Sequence, residues 1–180
     1  MTQPVRNAMD PKLFRKTMGS FATGVAIVTT KCDGELHGMT VNSLTSVSLQ
    51  PTLLLICLAA NARTAAAVQA RGWFVVHILA EQQAALSNCF ARPNEDHYAR
   101  VEFTLNEHDL PVLPGCLAYL VCKVQRTDPG GDHIIVLGEV VQAEFHEAEP
   151  LLFFRGDYST VSTKPGAEAA DLYWYWQFAL

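Results

Sequence analysis

The chain has 180 residues, 49% of them hydrophobic and 17% charged, which suits one compact domain with a real core. A formal net charge of −5, with no basic stripe, argues against nucleic acid as a partner, and no segment approaches the roughly 18 apolar residues of a membrane span. The five cysteines, Cys32, Cys57, Cys89, Cys116 and Cys122, are odd in number and contain no Cys-x-x-Cys pair, so neither a metal site nor a disulfide framework is expected and a reducing cytoplasm fits.

In chain order, the N-terminus lacks the apolar stretch of a signal peptide. Asp10-Pro11 predicts a helix start, with Asp10 as N-cap and Pro11 in the first turn. The helix runs to about Met18 with Leu13, Phe14 and Met18 on one stripe, and Gly19 or Gly24 stops it. Val25 to Thr30 is a strand, Asp33-Gly34 is a hairpin signal, and Leu36 to Val41 returns. A hydroxyl-rich connection, Thr40 to Ser48, precedes the break at Leu49-Gln50-Pro51. Thr52 to Leu58 is a buried strand. Ala62 to Ala70 is helical, closed by Gly72. Trp73 to Leu79 is a strand and Glu81 to Cys89 a helix.

Ala91 to Arg100 is looser, and Glu102 to Leu105 is a short strand. Cys116 to Gln125 and His133 to Phe145 form the longest hairpin, turning at Asp128-Pro-Gly-Gly. A hydrophobic strand at Leu151 to Phe154 leads into Arg155 and Tyr158. The segment after Ser159 loosens and ends in an aromatic run, Leu172 to Leu180. Antiparallel hairpins dominate and no regular βαβ alternation occurs, so the expected fold is mainly β with helical insertions, a small antiparallel barrel. Residues 1–180 read as a single domain with a core at about 10–160 and a tail at 161–180. The low charge fraction points to apolar surface covered by a second copy, a homodimer.

Three places can carry chemistry. The run Thr40, Asn42, Ser43, Thr45, Ser46 and Ser48 suits the polar rim of an uncharged heterocycle such as an isoalloxazine, or else a loop that satisfies its own hydroxyls. At Asn61-Ala62-Arg63-Thr64, Asn or Thr caps a helix whose free N–H groups favour an anion, with Arg63 adding a phosphate fork; a plain N-cap is the alternative. His133 follows the Gly130-Gly131-Asp132 turn at the mouth of a strand, a rigid position for a histidine that acts on a ligand, although most turn histidines do nothing catalytic. No Gly-x-Gly-x-x-Gly and no phosphate loop is present.

Taken together, Phe21 to Thr30, Asn42-Ser43 to Leu49, Arg63-Thr64, Gly131-Asp132-His133 and Phe154-Arg155-Gly156-Asp157-Tyr158 resemble the short-chain flavin reductases, the reductase components of two-component flavin monooxygenases. The resemblance covers about residues 10 to 160. It implies the FMN-binding split barrel, a homodimer, and hydride transfer from NADH or NADPH to FMN or FAD, with the reduced flavin passing to a partner monooxygenase. By the same resemblance Thr40, Val41, Asn42, Ser43 and Ser46 meet the flavin, and Asn61, Ala62, Arg63 and Thr64 meet its phosphate end. Asn88, Phe90, Ala91 and Arg92 line its other side.

His133 would act beside the nicotinamide as the catalytic residue, with Arg155 and Tyr158 at the same mouth. The chain departs from the family pattern at Leu44, where an aromatic is common, at Ala62, often a serine, and at His97 of Asp96-His97-Tyr98, often a lysine or arginine. Two other readings stand beside this one: a split-barrel flavoprotein of another activity, such as a ferric reductase or an oxidase, and a non-enzymatic dimeric ligand-binding barrel.

Overall fold

A computed structural model of the protein describes residues 9–93 and 96–162; the expected aromatic tail at 172–180 lies outside the described residues. Helix α1 (Pro11–Met18) begins as the sequence predicts, with the Lys12 N–H donating to Asp10 Oδ1 at 3.0 Å, and it closes at Gly19. Its apolar stripe is not buried: Leu13, Phe14 and Met18 are all more than half exposed.

A two-residue strand β1 (Thr23–Gly24) precedes β2 (Ala26–Cys32), which turns through Asp33-Gly34 into β3 (Glu35–Val41). Both turn residues have positive φ, 52° and 83°, as a two-residue hairpin of the favoured hand requires. The hydroxyl run then departs from expectation. Only residues 42–44 form a connection, and Thr45–Leu49 is a strand, β4, paired with β5 (Thr52–Ala59). Val47 and Leu49 on β4 are exposed, so this edge strand lacks the in–out alternation that betrays a strand in sequence.

Helix α2 (Arg63–Arg71) ends at Gly72, whose left-handed φ of 73° makes the C-cap, and β6 (Trp73–Ile78) follows. The expected helix over Glu81–Cys89 is two pieces, a 3-10 turn at Glu81–Gln83 and α3 (Ala84–Phe90). Gln83 explains the break. Its Oε1 accepts the Ala80 N–H and its Nε2 donates to Pro114 O, both at 3.0 Å, which pins the junction to a distant loop. Short strands β7 (Thr104–Leu105) and β8 (Pro111–Val112) pair with each other.

The long hairpin is β9 (Ala118–Gly130) and β10 (His133–Phe145). Its turn is Gly131-Asp132, later than the expected Asp128-Pro-Gly-Gly, because β9 continues through Pro129. On its other side β9 pairs with β6 only over residues 118–123. Beyond them it is an edge, where a proline costs no ladder bond. Strands β11 (Leu152–Phe154) and β12 (Asp157–Ser159) join β1 in a small sheet.

The main sheet is antiparallel, in the order β3-β2-β6-β9-β10-β5-β4. Its two edge strands are consecutive in the chain and joined by residues 42–44 alone. A link of that length spans at most about 14 Å, whereas the edges of a flat seven-stranded sheet lie roughly 29 Å apart. The sheet must therefore roll until its edges approach. One face of the roll buries Val28, Leu54, Ile56, Phe74 and Val136 against Ala65 and Val68 of α2. The other buries Val25, Ile27, Leu79, Phe90 and Leu151. Alternate residues of β2 thus supply both cores. The connection at 42–44, where the rolled edges meet, is where the candidate site forms.

Candidate functional site

Two open grooves flank the 40–45 segment. The first, of about 950 Å³, has β3 as its floor, with the start of α2 and the end of α3 as walls. It gathers eight of the sequence-predicted residues, Thr40, Asn61, Ala62, Arg63, Thr64, Phe90, Ala91 and Arg92. The close approach of α3 to β3 depends on Gly38, where an added Cβ would lie 2.5 Å from Phe90 Cε1. Phe90 packs edge-on against Tyr98 with ring centroids 5.4 Å apart, and tilted against His97 at 5.0 Å. The Tyr98 hydroxyl donates to His37 O at 2.9 Å, and burial pushes its phenol well above the usual range, so it stays a donor.

The start of α2 differs from expectation in a useful way. The N-cap is Ala62, which makes no side-chain cap bond, rather than Asn61 or Thr64. The Thr64 hydroxyl is buried and donates to Gly38 O at 3.1 Å. No side chain caps the helix start; the Ala65 N–H turns back to Ala62 O at 3.1 Å, and Arg63 and Thr64, the first two residues of the helix, line the groove, an arrangement that favours an anion.

The second groove, about 1060 Å³, lies on the other side of the connection. It gathers Asn42, Ser43 and Arg155 with residues of α1, among them Arg15, and with Phe21 and Phe153. The sequence reading did not single out α1 here, since nothing local in Phe14-Arg15-Lys16 marks a groove.

The hydroxyls of the connection are mostly spent on the fold. Thr40 Oγ1 donates to Ser87 O at 2.7 Å. Ser43 Oγ donates to Cys57 O at 3.0 Å and accepts the Cys57 N–H at 2.9 Å. Ser48 Oγ accepts the Gln50 N–H at 3.1 Å. These four bonds are the self-satisfying alternative for three of the hydroxyls, so what the segment presents to a ligand is its backbone and the exposed Asn42 and Thr45 side chains. Val41 is a core side chain, and Ser46 lies on β4; neither lines a groove.

His133 opens β10 opposite Ala59, which lines the first groove. The Ala60 N–H donates to Asp132 O at 3.0 Å, tying the turn to the end of β5. His133 Nδ1 donates to Asp132 Oδ1 at 2.7 Å, and this bond, with the histidine's charge, holds the Asp132 carboxyl below the usual carboxylate range. The imidazole is nearly half exposed and lines neither groove. Tyr158 is not free at a mouth, because its hydroxyl donates to Ser87 Oγ at 2.8 Å and stands 3.1 Å from Asn88 Oδ1. Ser87 thereby links Thr40 on β3 to Tyr158 on β12 through its carbonyl and its hydroxyl. Among the described residues no cluster of His, Cys, Asp or Glu is arranged to hold a metal, and no helix is long and apolar enough to cross a membrane.

Comparison with known proteins adds four findings. A family model described as flavin reductase like domain matches residues 18–162. A probable flavin reductase of Rhizobium meliloti (strain 1021) is 40% identical over 152 residues, covering 84% of this chain and 49% of the relative; this chain thus spans about half of that relative's length. The reductase subunit HsaB of a flavin-dependent monooxygenase from Rhodococcus jostii (strain RHA1) is 37% identical over 155 residues, covering 86% of this chain and 80% of the relative. Among solved structures, the NADH:FAD oxidoreductase SgcE6 of Streptomyces globisporus C-1027, in complex with NAD and FAD fragments, superposes with a TM-score of 0.81 at 36% identity, covering 91% of this chain and all of the other.

Proposed function

This chain belongs to the flavin reductase-like family, and from that premise we propose that it carries a hydride from NADH or NADPH to FMN or FAD and supplies the reduced flavin to a partner monooxygenase. It is an oxidoreductase whose chemistry resides in its two organic ligands: a reduced nicotinamide donates the hydride and a flavin accepts it. The protein binds, orients and excludes water.

The reading rests on the first groove. An uncapped helix start beside Arg63 meets the flavin phosphate. The β3 backbone and the Phe90 ring form an apolar floor and wall for the ring system. The two-sided character of an isoalloxazine, apolar faces with a polar rim, fits a groove whose hydroxyls, Thr40, Thr64 and Tyr98, are bonded within the fold and leave backbone groups for the rim, with Asn42 across the connection on the second groove. Asp132 fixes the tautomer of His133 by taking its Nδ1 proton as a hydrogen bond, so that Nε2 orients the nicotinamide carboxamide or the coenzyme pyrophosphate. No general acid or base is required of the chain.

In this reading the rolled sheet is a split barrel and the protein works as a homodimer, which the exposed Leu13, Phe14, Met18 and Phe21 support. The five free thiols accord with a cytoplasmic setting. The test is steady-state NAD(P)H oxidation with FMN, FAD and riboflavin, each with both nucleotides. Turnover that depends on added flavin is expected. Flavin binding without any NAD(P)H oxidation would support the ligand-binding barrel in its place.

A further inference from the structure

Ser87 sits in the middle of α3 with no exposed surface. Serine is a weaker helix former than alanine, and a hydroxyl taken out of water costs stability unless it is bonded. An alanine would serve both the helix and the core, so the hydroxyl is explained by what it holds.

The bonds of Ser87 point in three directions. Its carbonyl accepts two donors, the Ala91 N–H at 3.0 Å and the Thr40 hydroxyl at 2.7 Å. Ala91 belongs to the wall of the first groove and Thr40 to its floor, so one oxygen sets the distance between wall and floor. The Ser87 hydroxyl accepts the Tyr158 hydroxyl at 2.8 Å. Tyr158 pairs with Phe153 across β11–β12, with ring centroids 6.0 Å apart, and Phe153 lines the second groove. The small sheet is thereby braced against the floor of the first groove through a single residue.

The other anchors of α3 do not duplicate this brace. Gln83, ahead of the helix, is bonded to the Ala80 N–H and to Pro114 O, and neither of those residues lines a groove. Phe90, at its end, rests on Gly38, an apolar contact and so a non-directional one. Thr40 stands two residues ahead of Asn42. Its bond to Ser87 therefore holds β3 close to where the connection leaves it.

We propose that Ser87 is a positioning residue for hydride transfer: through Thr40 on one side and Tyr158 on the other, it fixes the depth at which the flavin ring lies in the first groove. This rests on the flavin reductase reading above. Hydride transfer needs the donor carbon and the accepting ring at contact distance, and a displacement of about 1 Å can cost on the order of a hundredfold in rate. Affinity is spread over phosphate, rim and ring contacts, which survive a small shift. Ser87 therefore governs the chemical step rather than the binding of either ligand.

The experiment follows flavin reduction by stopped flow at saturating coenzyme, with flavin Kd and coenzyme KM measured alongside. Ser87→Ala and Tyr158→Phe cut the arm to the small sheet, and Thr40→Val cuts the arm to β3. Each is expected to slow hydride transfer by about tenfold, with flavin Kd and coenzyme KM within about twofold of wild type. The long-wavelength absorbance of the stacked nicotinamide–flavin pair weakens in the same three variants. Thr40→Ser, which keeps the hydroxyl, recovers most of the rate lost in Thr40→Val. Because the two arms act as one brace, Ser87→Ala combined with Thr40→Val loses no more than the larger single loss.

A double loss equal to the product of the two single losses would overturn the proposal. So would an unchanged limiting rate in Ser87→Ala. A raised coenzyme KM at unchanged limiting rate in Tyr158→Phe would overturn it too, and give Tyr158 to the coenzyme. Should Ser87→Ala fail to fold, Tyr158→Phe and the two Thr40 variants decide by the same criteria. If wild type binds flavin but oxidises neither nucleotide, the underlying reading fails. The visible circular dichroism of the bound flavin then decides the brace: a spectrum unchanged in Ser87→Ala and Tyr158→Phe refutes it. A wild type that binds no flavin overturns both.

Discussion

His133 and Ala59 stand directly opposite each other across the β10–β5 pair. This single cross-strand contact carries the turn histidine to the rim of the groove that holds Asn61 to Thr64. The pairing is secured by the Ala60 N–H bond to Asp132 O. It is why a residue 70 positions downstream of Arg63 stands beside the strand end that leads into that groove. His133→Ala is therefore expected to slow hydride transfer and to raise the coenzyme KM by about tenfold, with flavin affinity within about twofold of wild type. Stopped-flow flavin reduction and flavin titration check the two halves. Unchanged coenzyme kinetics would remove His133 from the mechanism.

Gly38 is the point where α3 comes down on β3. In Gly38→Ala the new methyl would lie 2.5 Å and 2.7 Å from Phe90 carbons, so Phe90 must leave its place. We expect a loss of about 1–3 kcal/mol in stability together with a weaker flavin Kd, because the displaced ring intrudes on the groove. A paired Phe90→Leu should restore much of the stability. Denaturant unfolding and flavin titration on the single and double variants measure both.

Thr64 tests how the helix start is held. In Thr64→Val the shape is kept but the bond to Gly38 O is lost, leaving a buried carbonyl with one acceptor site unmet. A loss of about 1–2 kcal/mol is expected. If the phosphate is held by backbone N–H groups of α2, as the uncapped start suggests, flavin affinity changes little. A large loss of flavin affinity at unchanged stability would show the hydroxyl acting on the ligand directly.

His77 makes stability depend on pH. The ring is fully buried; its Nδ1 donates to Ile27 O at 3.2 Å and its Nε2 accepts the Leu113 N–H at 3.1 Å. Both partners demand the neutral Nδ1–H tautomer. Burial lowers its pKa from 6.5 to about 4. The unfolded chain therefore takes up this proton first as pH falls below 6.5, so unfolding gains protons and stability declines. The decline levels off near pH 4, where the native state protonates as well, after a total of about 3 kcal/mol. Thermal midpoints measured from pH 7 to 4 should trace this fall. His77→Gln, which keeps a donor and an acceptor without titrating, should lose that part of it. An equally steep fall in the variant would assign the pH dependence to other groups.

Much of this protein is readable along the chain because the signals are local. Asp10-Pro11, Asp33-Gly34 and Gly72 act through the backbone conformations that those residue types favour, and each appears where the sequence places it. Apolar runs locate β2 and β6, which are buried on both faces over most of their length, and they locate β5, which alternates buried and half-buried residues. The ordered set of motifs from Phe21 to Tyr158 was enough to indicate the family.

What only the tertiary structure decided is which partner each polar group finds. Thr40, Ser43 and Thr64 read as ligand hydroxyls, yet they bond to Ser87, Cys57 and Gly38, as many as 47 residues away. Tyr158 reads as a mouth residue, yet it fastens β12 to α3. Arg15 carries no local sign of a groove, yet the Arg155 N–H bond to Gly19 O ties the end of α1 to the β11–β12 turn, and both arginines line the second groove. Propensity and periodicity act over a few residues, whereas a hydroxyl or a guanidinium is committed only when the sheet rolls and distant backbone arrives within about 3 Å of it.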